Sequence, residues 1–308
     1  MKKSGISNFL IEAFYEGRFK GNLFIVKAGG KIVEDQKSLD NLLSNIRDLT
    51  LRGIKVLLIY GHGRAVDEKL AERGIEVKKI DGRRVTDAPT LGVIQEVVGG
   101  LLSMNIASGM ARTHLPGVSL SAIPADCMDV VLRPRKPVDF GFVGNIKGVN
   151  ATPIRAMFKS TNFIACSCLG VTAEGQVCNI NADTVAMECA IGLKAHKLVF
   201  LSDVDGVLIN GKTADVLTVE KIPELVKKGV VTGGMRVKLD SCKSALEKGV
   251  RRIHLINGLR KDALKKEIYE PIGHGTMLIR DEERGVYARE VAAQWALERH
   301  HKRKKKSK

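Results

Sequence analysis

Two asparagines and an aspartate lie within five residues of one another in the stretch NINADTVAMECA, which spans residues 179–190. Asn179, Asn181 and Asp183 come directly before an apolar helical pattern. Asn and Asp often accept hydrogen bonds from the free N–H groups of a first helical turn. Short, rigid polar side chains of the same types can also hold a substrate. The stretch therefore predicts a helix start, a binding site, or both.

Two glycine clusters are a second candidate for chemistry. Lys27 and Gly29–Gly30 end the apolar stretch LFIVKAGG, and Gly61–Gly63, with His62 at its centre, ends KVLLIYGHG. Ligands of parallel sheets collect at the carboxyl ends of the strands, and glycine lets backbone N–H groups approach phosphate oxygens. Each cluster taken alone is just as typical of a tight turn between a strand and a helix.

The common nucleotide-binding fingerprints are absent from the sequence. There is no G-x-x-x-x-G-K-[ST], which excludes a P-loop protein, and no G-x-G-x-x-G behind the first predicted strand, which gives a dinucleotide fold little support. The remaining motifs are GRRVTD at 82–87, SDVDG at 202–206 and TGGMRVKLDSC at 232–242. Each motif is weak alone, and their order along the chain is the informative feature.

The elements that must position these residues alternate between strands and helices. Apolar stretches such as LFIVKA, KVLLIY, FIACSCLGV, KLVFL and RRIHLINGL predict buried strands, and amphipathic stretches such as KLDSCKSALEKG predict the helices between them. VDFGFVGNIKGVNATP is polar and rich in glycine, and it predicts a hairpin or a pair of short antiparallel strands. Together these patterns favour an α/β fold with a largely parallel sheet covered on both faces.

Composition and charge narrow the class of protein. The net charge is +16, part of which lies in the C-terminal run RHHKRKKKSK. That run predicts a solvated tail rather than a nucleic-acid contact, and the remaining excess fits an enzyme for anionic substrates. The longest uncharged stretch, Val97 to Ala111, is shorter than a membrane span. The six cysteines include no C-x-x-C, so we expect buried free thiols, no metal bound by side chains and a cytoplasmic location.

In these motifs and their order the sequence resembles the amino acid kinase family and, within it, the acetylglutamate kinase branch. NINAD, RVTD and GGMRVK carry the resemblance most specifically, and it runs from about Gly21 to Asp281. FVGNIKGVNATPI is similar to the kinase domain of fused acetylglutamate kinase–acetyltransferase proteins. The chain ends at residue 308, which leaves no room for an acetyltransferase domain, so we expect that activity to be absent.

The resemblance implies a three-layer αβα sandwich around a central, mainly parallel sheet. It also implies transfer of a phosphoryl group from ATP to the side-chain carboxylate of an N-acylated amino acid. N-Acetyl-L-glutamate is the first expectation, and N-succinylglutamate or an N-acylated aminoadipate would undergo the same chemistry. A carboxylate with a pKa near ~4.3 is ionised at neutral pH and needs no general base, and Mg²⁺ would be held mainly by the phosphates.

The resemblance also implies roles for individual residues. Lys27 and Lys238 match the paired lysines that contact the transferring phosphoryl group, and Asp183 matches the carboxylate that orients both lysines. Arg84 matches the arginine that grips the substrate carboxylate, and Asn179 matches the asparagine that binds the acyl amino acid. The glycines of both clusters would supply backbone N–H groups, and the end of the nucleotide-side strand would contact adenosine. These residues are Gly29, Gly30, Gly61, Gly63, Asp203 and Gly206.

One position departs from the family pattern of three consecutive glycines. His62 stands between two glycines, where a side chain would tolerate a positive φ poorly, and Tyr60 precedes the loop. Either the loop keeps a negative φ at His62, or it has been reshaped for another substrate or state, in which His62 contacts phosphate. The second case leaves open a non-catalytic, amino-acid-sensing subunit with a kinase fold, although the intact lysine pair and its aspartate argue against it.

Four segments are expected along the chain. Residues 1–20 form an N-terminal amphipathic helix, 21–172 a lobe for the acyl amino acid and for dimerisation, 173–282 an ATP-binding lobe, and 283–308 a C-terminal helix and basic tail. In arginine-sensitive relatives an extra N-terminal helix joins dimers into higher oligomers and helps to form an inhibitor site. We therefore expect small-molecule partners, ATP and an acyl amino acid, and at least a homodimer, with a hexamer and arginine inhibition left open.

Overall fold

The computed structural model describes residues 17–80, 83–270, 273–292 and 295. Its strands are short, and those of the main sheet are mostly buried. In chain order they are β1 (Leu23–Ala28), β2 (Lys55–Tyr60), β3 (Lys79–Ile80), β4 (Arg83–Arg84), β5 (Val118–Leu120), β6 (Met128–Leu132), β7 (Gly144–Val149), β8 (Phe163–Ser167), β9 (Leu169–Val171), β10 (Val177–Asn179), β11 (Lys197–Ser202), β12 (Leu208–Ile209), β13 (Lys212–Thr213), β14 (Val216–Thr218), β15 (Ile253–Asn257) and β16 (Thr276–Ile279).

Helices connect most of the strands of the main sheet. They are α1 (Gly30–Glu34), α2 (Gln36–Leu51), α3 (Arg64–Glu72), α4 (Ala88–Arg112), α5 (Ala151–Met157), α6 (Ala182–Gly192), α7 (Ile222–Lys227), α8 (Gly233–Glu247) and α9 (Ala263–Tyr269). The middle of α4, Gln95–Leu102, is π-helical. Residues 284–292 are helical as well, so the expected C-terminal helix is described over that range. Most of the expected N-terminal helix at 1–20, namely residues 1–16, lies outside the described residues.

The central sheet has eight strands in the order β14-β16-β15-β11-β1-β2-β8-β5. All neighbouring pairs are parallel except β15 and β16. Successive residues of a strand face opposite sides of a sheet. In β1, Ile25 therefore packs into one apolar core, whereas Phe24 and Val26 pack into a second core.

Helices cover both faces of this sheet. The core around Ile25 includes residues of α5, α6 and α8, and the core around Phe24 includes residues of α2, α3, α4 and α9. The α/β class and the three-layer αβα sandwich around a mainly parallel sheet are confirmed. The sheet is continuous across residue 172, the expected boundary between the lobes, because β1 pairs directly with β11. The assignment of the two halves to different substrates stays a prediction.

Helix α4 is longer than the uncharged stretch that the sequence singled out. It runs for 25 residues. By length and composition alone, it is the one helix among the described residues that could cross a membrane. Half of its apolar window is buried inside the protein, and core helices of soluble proteins pass the same test. The helix is therefore weak evidence for a membrane span.

The expected hairpin in VDFGFVGNIKGVNATP has a different partner from the one predicted. Gly144–Val149 pairs in antiparallel fashion with Met128–Leu132, which precedes that stretch. Val143 and Gly141 make isolated bridges to Asn179 and Thr86. The hairpin β6/β7 thus lies beside the NINAD stretch, which its sequence alone did not indicate.

Candidate active site

The two glycine loops lie side by side, because β1 and β2 are parallel neighbours that end level with each other, with Ala28 opposite Tyr60. Next to them lies a cavity of about 280 Å³. Residues of both loops, of hairpins β3/β4 and β6/β7 and of the NINAD stretch line it. Its charged and polar side chains are those of Lys27, His62, Lys79, Arg83, Arg84, Arg133, Asn145, Asn179, Asn181, Asp183 and Thr184.

Asp183 contacts two lysines that come from different elements. Lys27 Nζ, in β1, lies 2.8 Å from Asp183 Oδ1, and Lys238 Nζ, in α8, lies 3.6 Å from Asp183 Oδ2. Burial alone would raise the pKa of Asp183, but the charges of the two lysines outweigh it, and the pKa lies below its usual 3.8. The carboxylate is therefore ionised at neutral pH, and three residues that are distant in sequence form one charged cluster.

The backbone N–H groups of the glycine loops fall into two sets. Gly29 and Gly61 donate theirs to the carbonyl oxygens of Leu201 and Ala28, so these two groups are engaged in the sheet. The N–H groups of Gly30, His62 and Gly63 have no hydrogen-bond partner among the described residues. Three adjacent donors, one of them from His62, thus remain for a ligand.

Close packing, rather than a positive φ, accounts for two of these glycines, Gly30 and Gly61. None of the four has a positive φ, and neither does His62. A Cβ on Gly30 would lie 2.7 Å from Glu34 Oε1, and one on Gly61 would lie 3.0 Å from the Cβ of Ala182. A Cβ on Gly63 would meet no atom within 4 Å. The loop accommodates His62 without a positive φ at that position.

Arg84 is almost completely buried beside this cavity, with 8% of its side chain exposed. Its Nη2 lies 2.5 Å from Asp67 Oδ1, and Lys79 donates to the other oxygen of Asp67 at 3.0 Å. Nη1 of Arg84 is buried and has no hydrogen-bond partner among the described residues. Leaving a buried guanidinium N–H without an acceptor is costly, which makes Nη1 a position for a carboxylate oxygen of a ligand.

Asn179 connects the two sides of the cavity. Its Oδ1 lies 3.2 Å from Nε2 of His62, and its Nδ2 donates to Thr86 Oγ1 at 3.2 Å. Tyr60, the other unusual residue of this loop, is fully buried, and its hydroxyl lies 2.7 Å from Ser103 Oγ in α4. The aromatic ring therefore anchors the loop to the long helix and does not enter the cavity.

Asn181 caps helix α6. Its Oδ1 accepts hydrogen bonds from the N–H groups of Asp183 at 2.9 Å and Thr184 at 3.1 Å. Capping is therefore an observed role of Asn181, and this cap holds Asp183 in the first turn.

Asp203 and Gly206 lie apart from the residues just described and do not line the cavity. Asp203 follows β11, and Lys31 Nζ contacts its Oδ2 at 2.5 Å. Gly206 has a φ of +134°, and a Cβ there would lie 2.5 Å from Thr276 Oγ1, so this turn requires glycine. The hydrogen bond that holds Asp203 connects the first glycine loop to the β11 side of the sheet.

Several polar residues that line the cavity or contact its lining were not predicted from the sequence. Glu34 is buried, and its Oε1 accepts a hydrogen bond from the N–H of Ala65 at 3.2 Å, which joins α1 to the first turn of α3. Arg133 stacks over Phe140, at 5.0 Å from the ring centroid, and donates to Asn145 at 3.2 Å. Thr86 lies inside the RVTD motif and was the one residue whose position could have been inferred from a motif.

Comparisons of the sequence with known proteins point to one family. The sequence profile of the amino acid kinase family matches residues 22–257. An acetylglutamate kinase of Halothermothrix orenii is 34% identical over 279 residues, which are 88% of this chain and 96% of the relative. One of Chlorobaculum tepidum is 32% identical over 285 residues, which are 92% of this chain and all of the relative.

Solved structures show the same fold. N-Acetylglutamate synthase of Neisseria gonorrhoeae, complexed with coenzyme A and N-acetyl-glutamate, has a TM-score of 0.80 and 24% identity over 90% of this chain. Its complex with coenzyme A and L-arginine has a TM-score of 0.79 and 23% identity, also over 90% of this chain. The match spans 63% and 65% of the synthase chains, less than two thirds of their length.

Proposed function

The chain belongs to the amino acid kinase family, and from that membership we propose that it is an acetylglutamate kinase of arginine biosynthesis. It transfers the γ-phosphoryl group of ATP to the side-chain carboxylate of N-acetyl-L-glutamate and forms an acyl phosphate. The observation that carries the proposal is the cluster of Lys27, Asp183 and Lys238 at a cavity beside three free backbone N–H groups.

The side-chain carboxylate of the substrate is the nucleophile. Its oxygen forms a bond to the γ-phosphorus while the bond from that phosphorus to the β–γ bridging oxygen breaks, and ADP leaves with the electron pair. The carboxylate, with a pKa near ~4.3, is already ionised at neutral pH, so no side chain has to remove a proton. Among the described residues that line the cavity, Asp183 is the one acidic side chain, and two lysines engage it.

The protein contributes charge and position to this step. Lys27 and Lys238 neutralise the charge that develops on the transferring phosphoryl group, and Asp183 keeps their ammonium groups in place. The N–H groups of Gly30, His62 and Gly63 are available to the phosphoryl oxygens. Mg²⁺ is expected on the phosphates, because the carboxylate at the cavity is already engaged and the described residues contain no cluster of metal-ligating side chains.

The acyl amino acid occupies the side of the cavity formed by the two hairpins. Nη1 of Arg84 supports this placement, because it is buried without an acceptor and a carboxylate of the substrate would supply one. Asn179 lines the same cavity and offers a hydrogen bond to the same molecule. Asp203 and Gly206 are proposed to contact the adenosine, on the β11 side of the sheet.

Acyl-phosphate trapping with hydroxylamine tests the proposed function. Purified protein receives MgATP and, in separate reactions, N-acetylglutamate, N-succinylglutamate, N-acetylaminoadipate or free glutamate. The expected result is a strong signal with N-acetylglutamate and little signal with the others. Silence with all four substrates, in a protein that binds ATP, would instead indicate a sensing or regulatory subunit.

A second cavity supports a regulatory proposal. Lys197 Nζ lies 3.2 Å from His254 Nε2, and His254 Nδ1 lies 2.6 Å from Glu267 Oε1, all three side chains being buried. Acidic residues Glu270 and Glu290 and the basic Arg18 line the same cavity. Glu290 already contacts Arg18 and Arg252. We propose that free arginine binds here, with its guanidinium on Glu270 and its α-carboxylate on the basic side chains of the cavity.

Inhibition assays test this regulatory site. L-Arginine is expected to lower the rate of acyl-phosphate formation, and agmatine, which lacks the carboxylate, is expected to have little effect. Glu270→Gln should raise the arginine concentration needed, whereas Glu224→Gln, on the exposed face of α7, should leave it unchanged. Equal inhibition of both variants would place the arginine site elsewhere.

The quaternary structure and the cellular location are proposals as well. We propose a cytoplasmic enzyme that forms at least a homodimer, and a hexamer if the N-terminal segment joins dimers. Sedimentation with and without arginine distinguishes the two assemblies. An unchanged dimer in both runs would exclude the hexamer.

A further inference from the structure

His62 has a side chain where the family pattern has none, and that side chain is partly buried in a defined network. Nε2 of His62 lies 3.2 Å from Asn179 Oδ1, and Nδ2 of Asn179 donates to Thr86 Oγ1 at 3.2 Å. Thr86 is fully buried, and its backbone is held by hydrogen bonds with Phe140 and Phe142. The network therefore runs from the second glycine loop to a fixed point in the substrate-side hairpins.

The surroundings of His62 fix which ring nitrogen carries the proton. Nδ1 is buried and has no hydrogen-bond partner among the described residues. Nε2 lies 3.2 Å from Asn179 Oδ1, and an amide oxygen can only accept a hydrogen bond. The proton therefore lies on Nε2, and this Nε2–H donates to Oδ1 of Asn179.

The imidazole is neutral at the pH of the reaction. Burial lowers the pKa of His62 from 6.5 to about 4, the hydrogen bond to Asn179 opposes that shift, and Arg84 adds to it. Asp67 is the acidic group that acts on the ring, and it is engaged by Arg84 and Lys79. A neutral ring has one N–H to give, and Asn179 receives it.

We propose that His62 is a positioning residue for the acyl amino acid, because its Nε2–H holds Oδ1 of Asn179 and turns the free N–H of that amide towards the substrate. This inference rests on the proposed kinase function. With Oδ1 engaged by His62 and one N–H engaged by Thr86, the second N–H of Asn179 is the group left for the cavity. Asn179 then presents a donor, which matches a carboxylate or acyl oxygen of the substrate.

The side chain and the backbone of His62 have separate tasks. The backbone N–H remains free for phosphate, as a glycine N–H would, since φ at His62 is not positive. The side chain acts on the other substrate through Asn179. Loss of the imidazole should therefore weaken binding of the acyl amino acid while ATP binding is preserved.

His62→Gly tests the proposal, and His62→Gln is its conservative partner, because the glutamine amide can still donate to Asn179. Removing a hydrogen bond of ordinary strength predicts that His62→Gly raises the KM for N-acetylglutamate roughly threefold to tenfold. The KM for ATP should change less than twofold, and His62→Gln should restore much of the loss. His114→Gln, at an exposed histidine that does not line the cavity, is the matched control.

A double-mutant cycle separates positioning from a general disturbance of the loop. In an Asn179→Ala background, His62→Gly should add no further increase in KM, because the residue through which His62 acts is gone. Full additivity of the two changes, or a parallel rise in both KM values, would overturn the inference. Thermal melting of each variant shows whether the fold is retained.

Calorimetric titration with N-acetylglutamate keeps the test independent of turnover. If the wild-type protein binds N-acetylglutamate more tightly than His62→Gly but forms no acyl phosphate, the inference holds and the proposed kinase function fails. If wild type and His62→Gly bind it equally, the inference fails whatever the turnover. A wild-type protein that does not bind it overturns both.

Discussion

Asp183 is held in place through its backbone and contacts two lysines through its side chain. Its backbone N–H donates to Asn181 Oδ1 at 2.9 Å, so the residue is fixed in the first turn of α6. Its carboxylate contacts Lys27 and Lys238, each in a different element. Capping and the proposed catalytic role are therefore not competing explanations of the NINAD stretch. Asn181 caps the helix, and this cap holds Asp183, whose carboxylate contacts both lysines.

Replacement of Lys27 tests the position of the proposed active site. Lys27→Ala should lower kcat by about 10²–10³, as expected when one donor to a transition state is lost. Rates of acyl-phosphate formation by the variant and by Lys37→Ala, at an exposed lysine of α2, provide the comparison. Nearly full activity of Lys27→Ala would mean that the phosphoryl group is transferred elsewhere.

The sequence was sufficient to predict the site residues that belong to motifs. It was insufficient for residues outside any motif, which reach the site only because the chain folds. Lys27, Asp183 and Lys238 each stand in a recognisable motif, and the structure brings them together. Glu34 and Arg133 stand in none. Glu34 reaches Ala65 because two parallel strands end level, and Arg133 reaches the cavity because β6 pairs with β7. Such contacts depend on pairings between distant segments, which composition and spacing do not specify.

The cap of α6 is the first prediction at the scale of elements. Asn181→Ala removes the acceptor of two backbone N–H groups and should lower the free energy of unfolding by about 0.5–2 kcal/mol. Asn181→Asp keeps an acceptor and should lose much less. Urea denaturation measures both variants, and equal stability of Asn181→Ala and wild type would show that water satisfies these N–H groups as well as the side chain does.

The second glycine loop supplies a matched pair of substitutions. Gly61→Ala places a Cβ 3.0 Å from that of Ala182 and should lower the melting temperature, because the loop or the start of α6 must shift. Gly63→Ala meets no atom within 4 Å and should melt like wild type. Its methyl group lies beside a free N–H at the cavity, so the KM for ATP should rise. The opposite pattern, a destabilised Gly63→Ala with normal kinetics, would contradict this geometry.

Elements with a strong local pattern were predicted well. The apolar runs of β1, β2, β11 and β15 are strands, as their composition indicated. The run FIACSCLGV, predicted as one strand, divides into β8 of the central sheet and β9, which pairs with β10. Hairpin β6/β7 was predicted in part, because the glycine-rich stretch contains β7 but its partner lies upstream. The antiparallel pairing of β15 with β16 was not predicted, since the direction of a strand in a sheet depends on the path of the connection rather than on the residues of the strand.

Histidines that are partly or fully buried give the whole molecule a pH-dependent stability. Burial is the largest cause that lowers the pKa values of His62, His196 and His254 from 6.5 to about 4. At pH values between about 4 and 6.5, these histidines bind protons in the unfolded chain but not in the folded protein. The free energy of unfolding should therefore fall as the pH drops from 6.5 towards 4, with no loss from these groups above pH 6.5.

Urea midpoints between pH 5 and pH 7.5 measure this effect. His196→Gln removes one of the three groups and should make the fall with decreasing pH less steep. A midpoint that does not change over this interval would show that the histidines take up protons in the folded state.

The central position of β1 has a consequence for how the protein can be divided. At its outer edges the sheet has β5 and β14, each of three residues, so few unpaired backbone groups face outward there. A cut between the halves would expose six-residue edges on β1 and β11 instead, both buried and apolar. Such edges pair readily with other chains. We therefore expect a separately expressed half of the protein to aggregate. Truncations and fusions should be tolerated at the ends of the chain and not at its middle.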